Sequence, residues 1–305
     1  MVKIWREFER FRGKKEPCLT AIITTKGCGW RKCRMCSYWL ESRNLGDEAI
    51  KEQVDMIFDR IDTKILKIFT SGSFFDEDEI PGQIRKYIAE RAKEIGLEKI
   101  IVESRPEFIS EEKLSDFEGL ELEVGIGLES ANDRIREICV NKGFSFSDFL
   151  SAAEKIRGMG FRVKCYLLLK PPYLSEMEAI RDVLESIEKV SHVADVVSIN
   201  LTNVQKGTIV EKLWERKLYR PPWLWSAVEV IRKARGGGME IICDPVAGGK
   251  ARGPHNCGRC DREFVSALKL FSVTQDRSVL NLDCECRYLW EKYLELEEIA
   301  RIPLF

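Results

Sequence analysis

The amino-acid sequence predicts an α/β protein: a partial barrel of six parallel strands joined by helices, with a small metal-binding domain at its C-terminal end. Three observations lead to this fold class. Six apolar, strand-like runs alternate with amphipathic stretches of helical periodicity. Polar residues and glycines cluster directly after the first four runs, where parallel-barrel enzymes carry their functional groups. At 305 residues, the chain is long enough for one large core and a small appended domain.

The predicted strands, in chain order, are Leu19–Thr25, Ile65–Thr70, Lys99–Glu103, Leu122–Ile126, Val163–Leu169 and Val196–Leu201. After the first strand, Ile50, Val54 and Ile57 recur at the spacing of a helix. Another helix follows the fourth strand, and Ser147 is its expected N-cap. Because helical stretches separate successive strands, the sheet is expected to be parallel.

The C-terminal part of the chain is expected to form a separate domain. A tryptophan-rich helix is predicted to start at Pro221-Pro222, and the glycine run at 236–238 marks its end. We therefore place the barrel in residues 1–235 and a cysteine-rich domain in residues 236–305. A last helix is predicted from apolar residues at helical spacing, which are Tyr288, Leu289, Tyr293 and Leu296.

Composition limits the class of protein. The 49 Lys and Arg residues nearly balance the 50 Asp and Glu residues, so the net charge argues neither for nor against nucleic acid. Basic runs lie at 6–15, 31–34 and 250–252; such runs are usually solvated faces, and contact with RNA is the alternative. The first residues lack the apolar region of a secretory signal, and no apolar run reaches the ~20 residues of a membrane span. We therefore expect a cytoplasmic chain without membrane contact, in which clustered cysteines bind metals or do redox work.

Cys28, Cys33 and Cys36 form the most informative motif, because three of the 11 cysteines lie within nine residues just after the first predicted strand. Three thiolates can hold three irons of a [4Fe–4S] cluster and leave the fourth iron open to a ligand. Two alternatives remain from the residues alone. One is a zinc site completed by a distant residue, and the other is a redox or buried-thiol role. Both histidines, at 192 and 255, are far away in the sequence.

A second cysteine group lies near the C-terminal end, and its members are Cys257, Cys260, Cys284 and Cys286. Two pairs separated by 23 residues are typical of a tetrahedral structural zinc site. His255 is an alternative ligand, and an auxiliary iron–sulfur cluster or unligated thiols are alternative states of the group. The remaining cysteines are expected in the core, and they are Cys18, Cys139, Cys165 and Cys243.

The loop of Cys28 resembles the cluster loop of the radical S-adenosylmethionine (SAM) superfamily, whose usual spacing is Cys-x3-Cys-x2-Cys. One extra residue separates the first pair here. The segments 127–134, 142–145 and 201–208 resemble the fourth-strand and sixth-strand segments of the methylthiotransferase and coproporphyrinogen oxidase branches. The resemblance implies a partial radical SAM barrel with a [4Fe–4S] cluster and SAM as cofactors, and the three cysteines of this loop as the cluster ligands.

The resemblance also implies contacts to SAM. The implied residues are Met35, Ser71, Gly72, Ser73, Glu103, Ser104, Arg105, Glu129, Ser130, Lys142, Lys164 and Asn200. Ser71-Gly-Ser73 stands where the family often has Gly-Gly-Glu, so backbone carbonyls are expected to meet the SAM amino group. Carboxylates suit ribose hydroxyls or that amino group, and Lys142 or Arg105 suits the SAM carboxylate. Structural ion pairs at strand ends, or a cation at a helix C-terminus for Lys142, are the alternatives.

A closer resemblance is to the family of radical SAM subunits of archaeosine synthase. It is carried by the segments 25–30, 71–74, 102–106, 170–172 and 253–257, and by Phe271-Ser, Gln275-Asp276 and Cys284-Glu-Cys286. It implies a tRNA substrate with a lysine-modified 7-deazaguanine in the D-loop, a partner subunit that attaches the lysine, and an external one-electron donor. This chain would then cleave the lysine N–C bond through a 5′-deoxyadenosyl radical.

Two other functions remain as alternatives. The first is another radical SAM modification of tRNA, such as methylthiolation, which needs further cysteines upstream of the cluster loop. Only Cys18 lies there, which argues against it. The second is a zinc-bound RNA-binding protein without catalytic activity.

Overall fold

A computed structural model describes residues 2–235 and 237–300. Its centre is one eight-stranded sheet that curls into a half-barrel, with the strands side by side in chain order. The strands are β1 (Lys3–Phe11), β2 (Lys14–Ile22), β3 (Ile65–Phe69), β4 (Lys99–Glu103), β5 (Glu121–Glu129), β6 (Arg162–Leu169), β7 (Val196–Leu201) and β8 (Glu240–Asp244). β1 is antiparallel to β2, and all later neighbours are parallel.

The helices lie between the parallel strands and cover the outer face of the sheet. They are α1 (Asp47–Phe58), α2 (Gly82–Glu94), α3 (Glu111–Ser115), α4 (Asp133–Ile135), α5 (Phe146–Gly158), α6 (Glu176–Val190), α7 (Ile209–Glu215), α8 (Leu224–Lys233), α9 (Asp261–Thr274) and α10 (Cys286–Ala300). No helix in 2–235 or 237–300 is both long and apolar enough to cross a bilayer.

The predicted α/β barrel class is confirmed, and the six predicted strands correspond to β2–β7. The first of them begins earlier than expected, at Lys14, because β1 pairs with its whole length in a hairpin. β1 itself was not predicted. As an edge strand with one exposed face, it mixes charged residues among its apolar ones and reads as part of a basic run.

Two predicted helix starts are wrong. Ser145, not Ser147, caps α5: its hydroxyl accepts from the backbone N–H of Asp148, while the Asp148 carboxylate accepts from the backbone N–H of Ser145. This reciprocal pair is a capping box. The tryptophan-rich helix α8 begins at Leu224, and Trp223 is its N-cap.

The face of the last helix also differs from the prediction. Tyr288, Leu289 and Leu296 are exposed in α10, by 63%, 58% and 64%. The helix instead buries Trp290 and Leu294. Trp290 stacks beside Trp225 and donates to the hydroxyl of Ser226, so the contact with α8 decides which face is inside.

The sheet continues past the predicted domain boundary, because β8 pairs in parallel with β7. The division of the chain at 235/236 into folding units stays a prediction. β1 and β8 are the two edges of the sheet and are not paired through their backbones, although Arg10 of β1 lies 3.8 Å from the carboxylate of Glu240 of β8. Helix α9 lies across this seam and contacts β8, β1 and β2. Arg10 of β1 donates to the carbonyl of Val273 near the end of α9.

The concave face of the sheet, which we call the lumen, has a charged floor. Glu123 lies 2.7 Å from the ammonium of Lys99 and 2.5 Å from that of Lys164. Lys67 lies between Glu7 and Glu9 of β1 in the same way. Glu9, Lys99, Glu123 and Lys164 are buried, so their ion pairs satisfy charges that would otherwise be costly to bury.

Candidate functional site

The cysteine loop 26–37 lies at the rim formed by the C-terminal ends of the parallel strands. Its backbone is held on two sides. Cys28 donates its N–H to the carbonyl of Ser71, in the loop after β3, and Arg34 donates to the carbonyl of Val140, after β5. The loop therefore has a defined position between two neighbouring loops of the rim.

Trp30 provides a third contact that holds the cysteine loop in place. Its indole N–H donates to the carbonyl of Asn141 at 2.7 Å, and its ring lies directly over Gly143. Gly143 has a φ of +77°, and a Cβ there would be 2.2 Å from Cζ2 of Trp30. Only glycine allows both the left-handed backbone and this close approach.

The thiols of Cys28, Cys33 and Cys36 are half-buried and free of disulfides. Cys33 and Cys36 pack against an apolar cluster that contains Met35, Val140, Leu168 and Val204. Burial raises the pKa of the Cys36 thiol to about 11. The apolar cluster keeps water from one side of the thiols.

Glu129 and Lys142 form an ion pair beside these cysteines, with 2.7 Å between Oε1 and Nζ. A bulge in β5 between Gly127 and Glu129, together with a φ of +69° at Glu129, directs this carboxylate. Burial disfavours the charge of Lys142, but Glu129 and the thiol of Cys33 raise its pKa overall. The ammonium is thus maintained next to the cysteines.

Glu103 lies across β5 from Tyr166, and the two side chains meet above Gly125. A Cβ on Gly125 would be 2.6 Å from Cε2 of Tyr166 and 3.3 Å from Cγ of Glu103. Burial raises the pKa of Glu103, while the hydroxyl of Tyr166, which hydrogen-bonds it, lowers it. In contrast to Glu129, Glu103 has no cation within salt-bridge distance in the described part of the chain.

The segment Ser71–Ser73 passes close to Cys28, and a Cβ on Gly72 would be 2.6 Å from Cα of Cys28. Glu79, which the sequence analysis missed, fixes this segment. Its carboxylate accepts from the N–H of Ser73 at 2.6 Å and from the hydroxyl of Thr25 at 2.8 Å. Glu79 is fully buried, and nothing in its local sequence distinguishes it from the surrounding acidic residues.

Arg105 and Lys164 are engaged with protein groups. Arg105 pairs with Glu107 at 2.5 Å and donates to the carbonyl of Lys142 at 2.9 Å. Lys164 pairs with Glu123 in the floor of the lumen. These contacts match the structural alternative for strand-end charges, and the contacts of both residues to SAM stay predictions.

The other predicted residues lie along the same rim. Ser104 is buried and donates its hydroxyl to the carbonyl of Arg105. Ser130 donates to Asp182 of α6, and Asn200 of β7 accepts from the hydroxyl of Ser198. The structure therefore places most of the predicted residues at the rim or in the lumen, with Lys164 among the paired charges of the floor and the hydroxyl of Ser130 bonded to α6.

Residues 22–187 match the family model of the Radical SAM superfamily. The chain belongs to the radical SAM superfamily. It is 42% identical over 97% of its length to "Archaeosine synthase subunit beta" of Methanosarcina acetivorans, of which 90% is covered. It is 41% identical over 95% of its length to the protein of the same name from Thermococcus kodakarensis, of which 96% is covered.

A solved structure shows a weaker likeness. The archaeal Elp3 of Methanocaldococcus infernus aligns with a TM-score of 0.46 and 20% identity, over 61% of this chain and 48% of the other. A likeness at this level says nothing about activity. As a member of the radical SAM superfamily, the chain is an enzyme, and the family implies a [4Fe–4S] cluster and SAM.

The cysteine loop of this radical SAM enzyme fits such a cluster. In the described residues, the compact group of metal-ligating atoms, all within 4.8 Å of one another, does not include Cys28, Cys33 or Cys36. A single ion needs close ligands, whereas a cluster takes each thiolate on a different iron. The three thiols would therefore hold the cluster, and a one-ion zinc site at this loop is disfavoured.

The second cysteine group is compact. Cys257 lies 3.7 Å from Cys260 and 3.8 Å from Cys284, measured between sulfurs, and Cys260 lies 3.7 Å from Cys286. A Zn–S bond of about 2.3 Å gives a tetrahedral edge of about 3.8 Å, so the spacing suits four ligands of one ion. His255 is not a member of the group; its Nδ1 lies 2.8 Å from the carbonyl of Gly253.

The remaining four cysteines lie in the core as predicted. Cys18, Cys139, Cys165 and Cys243 are fully buried. None of them is a member of the compact metal-ligating group among residues 2–235 and 237–300. They serve as small apolar side chains.

The contact between Trp30 and Gly143 gives a testable expectation. Gly143→Ala should destabilise the protein by about 3 kcal/mol or more, because left-handed strain and a clash with the indole add together. It should also lower the iron bound after reconstitution, since Trp30 anchors the cysteine loop. Urea unfolding and iron analysis check this result.

Gly160→Ala is the matched control for this change. Gly160 has a φ of +78° and nothing within 4 Å of an added Cβ. It should lose only about 1–2 kcal/mol from the left-handed strain and keep its iron. Equal iron contents in the two variants would show that Trp30 does not position the loop.

Asp182 should make stability depend on pH. Burial raises its pKa to about 7, and in the described structure its Oδ2 has no hydrogen-bond partner. The pKa of Asp182 is higher in the folded state than in the unfolded state. Its carboxyl group therefore adds most to the free energy of unfolding below pH ~4, and this contribution is lost as the pH rises through ~7. Asp182→Asn should remove a decline on the order of 4 kcal/mol between these values. Urea midpoints at pH 5 and pH 8 test this; the same decline in Asp182→Asn would assign it to another group.

Proposed function

We propose that this chain is the radical SAM subunit of an archaeosine synthase, an enzyme of tRNA modification. The observation that carries the proposal is the 41–42% identity to two proteins named "Archaeosine synthase subunit beta" over at least 95% of this chain. The presence of the three cluster cysteines on an ordered rim loop supports it. The word "subunit" in those names supports a partner protein, for which we propose the subunit that attaches lysine.

The substrate we propose is tRNA whose D-loop carries a 7-deazaguanine with lysine joined through an amidine. The bond that breaks is the N–C bond between the amidine nitrogen and the lysine carbon chain. The lysine carbon chain gives one hydrogen atom to the 5′-deoxyadenosyl radical and leaves as an alkene. The nitrogen stays on the base and takes one electron from the external donor and one proton, which gives the formamidine of archaeosine. When bound, the cluster and SAM supply a 5′-deoxyadenosyl radical with an electron from an external donor.

The side chains of this chain bind and orient the cluster and SAM and shield them from water. Cys28, Cys33 and Cys36 hold the cluster. We propose that the ammonium of Lys142, which stays charged beside Glu129, attracts the carboxylate of SAM. We also propose that backbone carbonyls of the segment Ser71–Ser73, which Glu79 fixes, accept from its amino group.

The lumen offers further SAM contacts. We propose that Glu103, which lacks a cation partner in the described residues, accepts from a ribose hydroxyl or the amino group of SAM. We propose that Ser104, Ser130 and Asn200 complete the polar rim and that Met35, which lies in the apolar cluster, contacts adenine. The apolar cluster behind Met35 excludes water, and a carbon radical requires such a dry environment.

We propose that the second cysteine group holds a structural zinc ion. Its four sulfurs have the spacing of a one-ion tetrahedron, whereas the ligands of an auxiliary cluster would bind separate irons. Trp225 of α8 donates its indole N–H toward the sulfur of Cys286 at 3.4 Å. Such N–H donors stabilise metal-bound thiolates.

Nucleoside mass spectrometry tests the proposed activity. The full chain, reconstituted anaerobically with iron and sulfide, is incubated with lysine-modified tRNA, SAM and dithionite. We expect archaeosine and 5′-deoxyadenosine to appear together. Active SAM cleavage without archaeosine would reject the substrate but keep the radical SAM activity, and methylthiolated nucleosides would favour the second function. A colourless protein that holds only zinc would favour a non-catalytic role.

A further inference from the structure

Three loops of the barrel meet at one side of the rim. They follow β2, β7 and β8, and their strands are parallel, so their ends lie at the same edge of the sheet. Ile209, at the start of α7, donates to the carbonyl of Arg34 at 3.1 Å. Val204 donates to the carbonyl of Arg252 at 2.7 Å. Two basic runs that lie more than 200 residues apart in the sequence are thereby joined through the loop 202–208.

The side chains that this junction presents are cationic. We call them the rim patch, and its members are Arg31, Lys32, Arg34, Lys206 and Lys250. In the described part of the chain, none of the five has an acidic partner within salt-bridge distance, whereas Glu211 of the same region is paired with Arg252. Arg31 and Arg34 instead donate to backbone carbonyls, at 2.8 and 2.9 Å. The rim patch is therefore a concentration of uncompensated positive charge on a nearly neutral protein.

Aromatic rings lie among these cations. The guanidinium of Arg31 lies 5.7 Å from the ring centre of Trp39, and the ammonium of Lys32 lies 4.7 Å from that of Trp30. Tyr38, two residues after the last cluster cysteine, is 50% exposed. Cations that contact phosphates, next to rings on which unpaired bases can stack, are the combination by which proteins bind single-stranded or looped RNA.

The rim patch borders the cluster cysteines directly. A cavity of about 170 Å³ is lined by Arg31, Lys32 and Arg34 on one side and by Gly207, Thr208 and Ile209 on the other, and Cys33 and Cys36 also line it. A strand of RNA held by these cations would thus pass beside the entrance to the lumen. The opposite end of the barrel, where Lys14 begins β2, is far from the cysteines along the strand direction.

We infer that the rim patch binds the phosphate backbone of an RNA loop and so presents one nucleotide to the lumen. This inference rests on the proposed function and names the surface through which this subunit meets its substrate. It gives the chain an RNA affinity of its own. An acidic protein partner would suit the same charges, but the exposed ring of Tyr38 near the cysteines favours RNA.

Fluorescence anisotropy with a labelled tRNA transcript tests the inference on the full reconstituted chain, without SAM or reductant. The test variant is Lys206→Glu with Lys250→Glu; both side chains are exposed and outside the cluster loop. The control is Lys14→Glu with Lys155→Glu, which makes the same change of charge on exposed residues at the start of β2 and in the last turn of α5, toward the opposite end of the barrel. We expect the test variant to bind at least about 10-fold more weakly near 0.1 M salt, and the slope of log K against log salt to fall by about 2. The control should stay within about twofold of the unaltered chain.

Three outcomes would overturn the inference. They are an unaltered chain that binds no tRNA at low salt, a test variant that binds as tightly as the control, and a control that loses as much affinity as the test variant. The first two outcomes would indicate that the rim patch contacts a protein partner instead of RNA. Because binding is measured without turnover, its failure is distinct from that of the proposed function, which would appear as normal tRNA binding without archaeosine.

Discussion

Cys33→Ser should abolish the reductive cleavage of SAM, and so should the same change at Cys28 or Cys36. Each thiolate is expected to hold one iron, and backbone bonds to two neighbouring loops fix the loop that carries them, so each substitution should leave one iron without its thiolate. We expect cluster iron to fall from about four per chain to below one after reconstitution. The formation of 5′-deoxyadenosine should fall to the level of the protein without iron. Iron analysis and chromatography of the nucleoside check both values.

Cys243→Ala is the control for this loss. Cys243 is fully buried in β8, away from the cysteine loop, so its truncation should cost stability and leave the cluster intact. If Cys33→Ser kept the iron content and activity of the unaltered chain, the assignment of the three cysteines would be wrong. A loss of iron in Cys243→Ala as well would point to general unfolding instead.

Cys286→Ser should have the second-largest effect, this time on stability. A structural zinc site contributes several kcal/mol of folding free energy, so we expect a decrease of about 10 °C in Tm together with the loss of about one zinc ion per chain. Cys286 is the first residue of α10 and Cys260 precedes α9, so both helices should become sensitive to proteases. Differential scanning calorimetry, zinc analysis and limited proteolysis measure these changes.

Cys243→Ser makes the same chemical change at a buried cysteine outside the group and serves as the matched control. It should keep the zinc and the protease resistance of α9 and α10. If Cys286→Ser kept its zinc and its Tm were unchanged, the proposed structural role of the site would be wrong. An iron–sulfur absorbance that depends on Cys286 would indicate an auxiliary cluster at this site instead of zinc.

The six central strands were predictable because their signal is local. Each is a short apolar run that ends in polar or glycine residues, and a parallel strand covered on both faces produces that pattern. β1 lacks the signal since it is an edge strand with charged residues on both faces, including Glu7 and Glu9 on the lumen side. The cap of α5 was within reach of the sequence: Ser145 has an acidic residue at the third following position, which Ser147 lacks.

The site was predictable only where a single segment carries the chemistry. The three cysteines lie within one loop, and their type and spacing point to iron. Glu79 and the contact of Trp30 with Gly143 could not be derived, because each joins segments that are distant in the sequence. The exposed face of α10 was misjudged for the same reason, since the choice between Trp290 and Tyr288 is made by the neighbouring helix α8.

The seam between β1 and β8 has a consequence for the order in which the protein is made. Arg10, near the beginning of the chain, bonds to Val273 of α9, 263 residues later. A ribosome that has released only the parallel strands has therefore produced a trough that is open along one side. The gap between the two edges is covered only when α9 emerges and docks against β1 and β8, with its first turn joined to the four-cysteine group. A nascent chain would thus leave the sheet uncovered along this seam until nearly all of it has been synthesised.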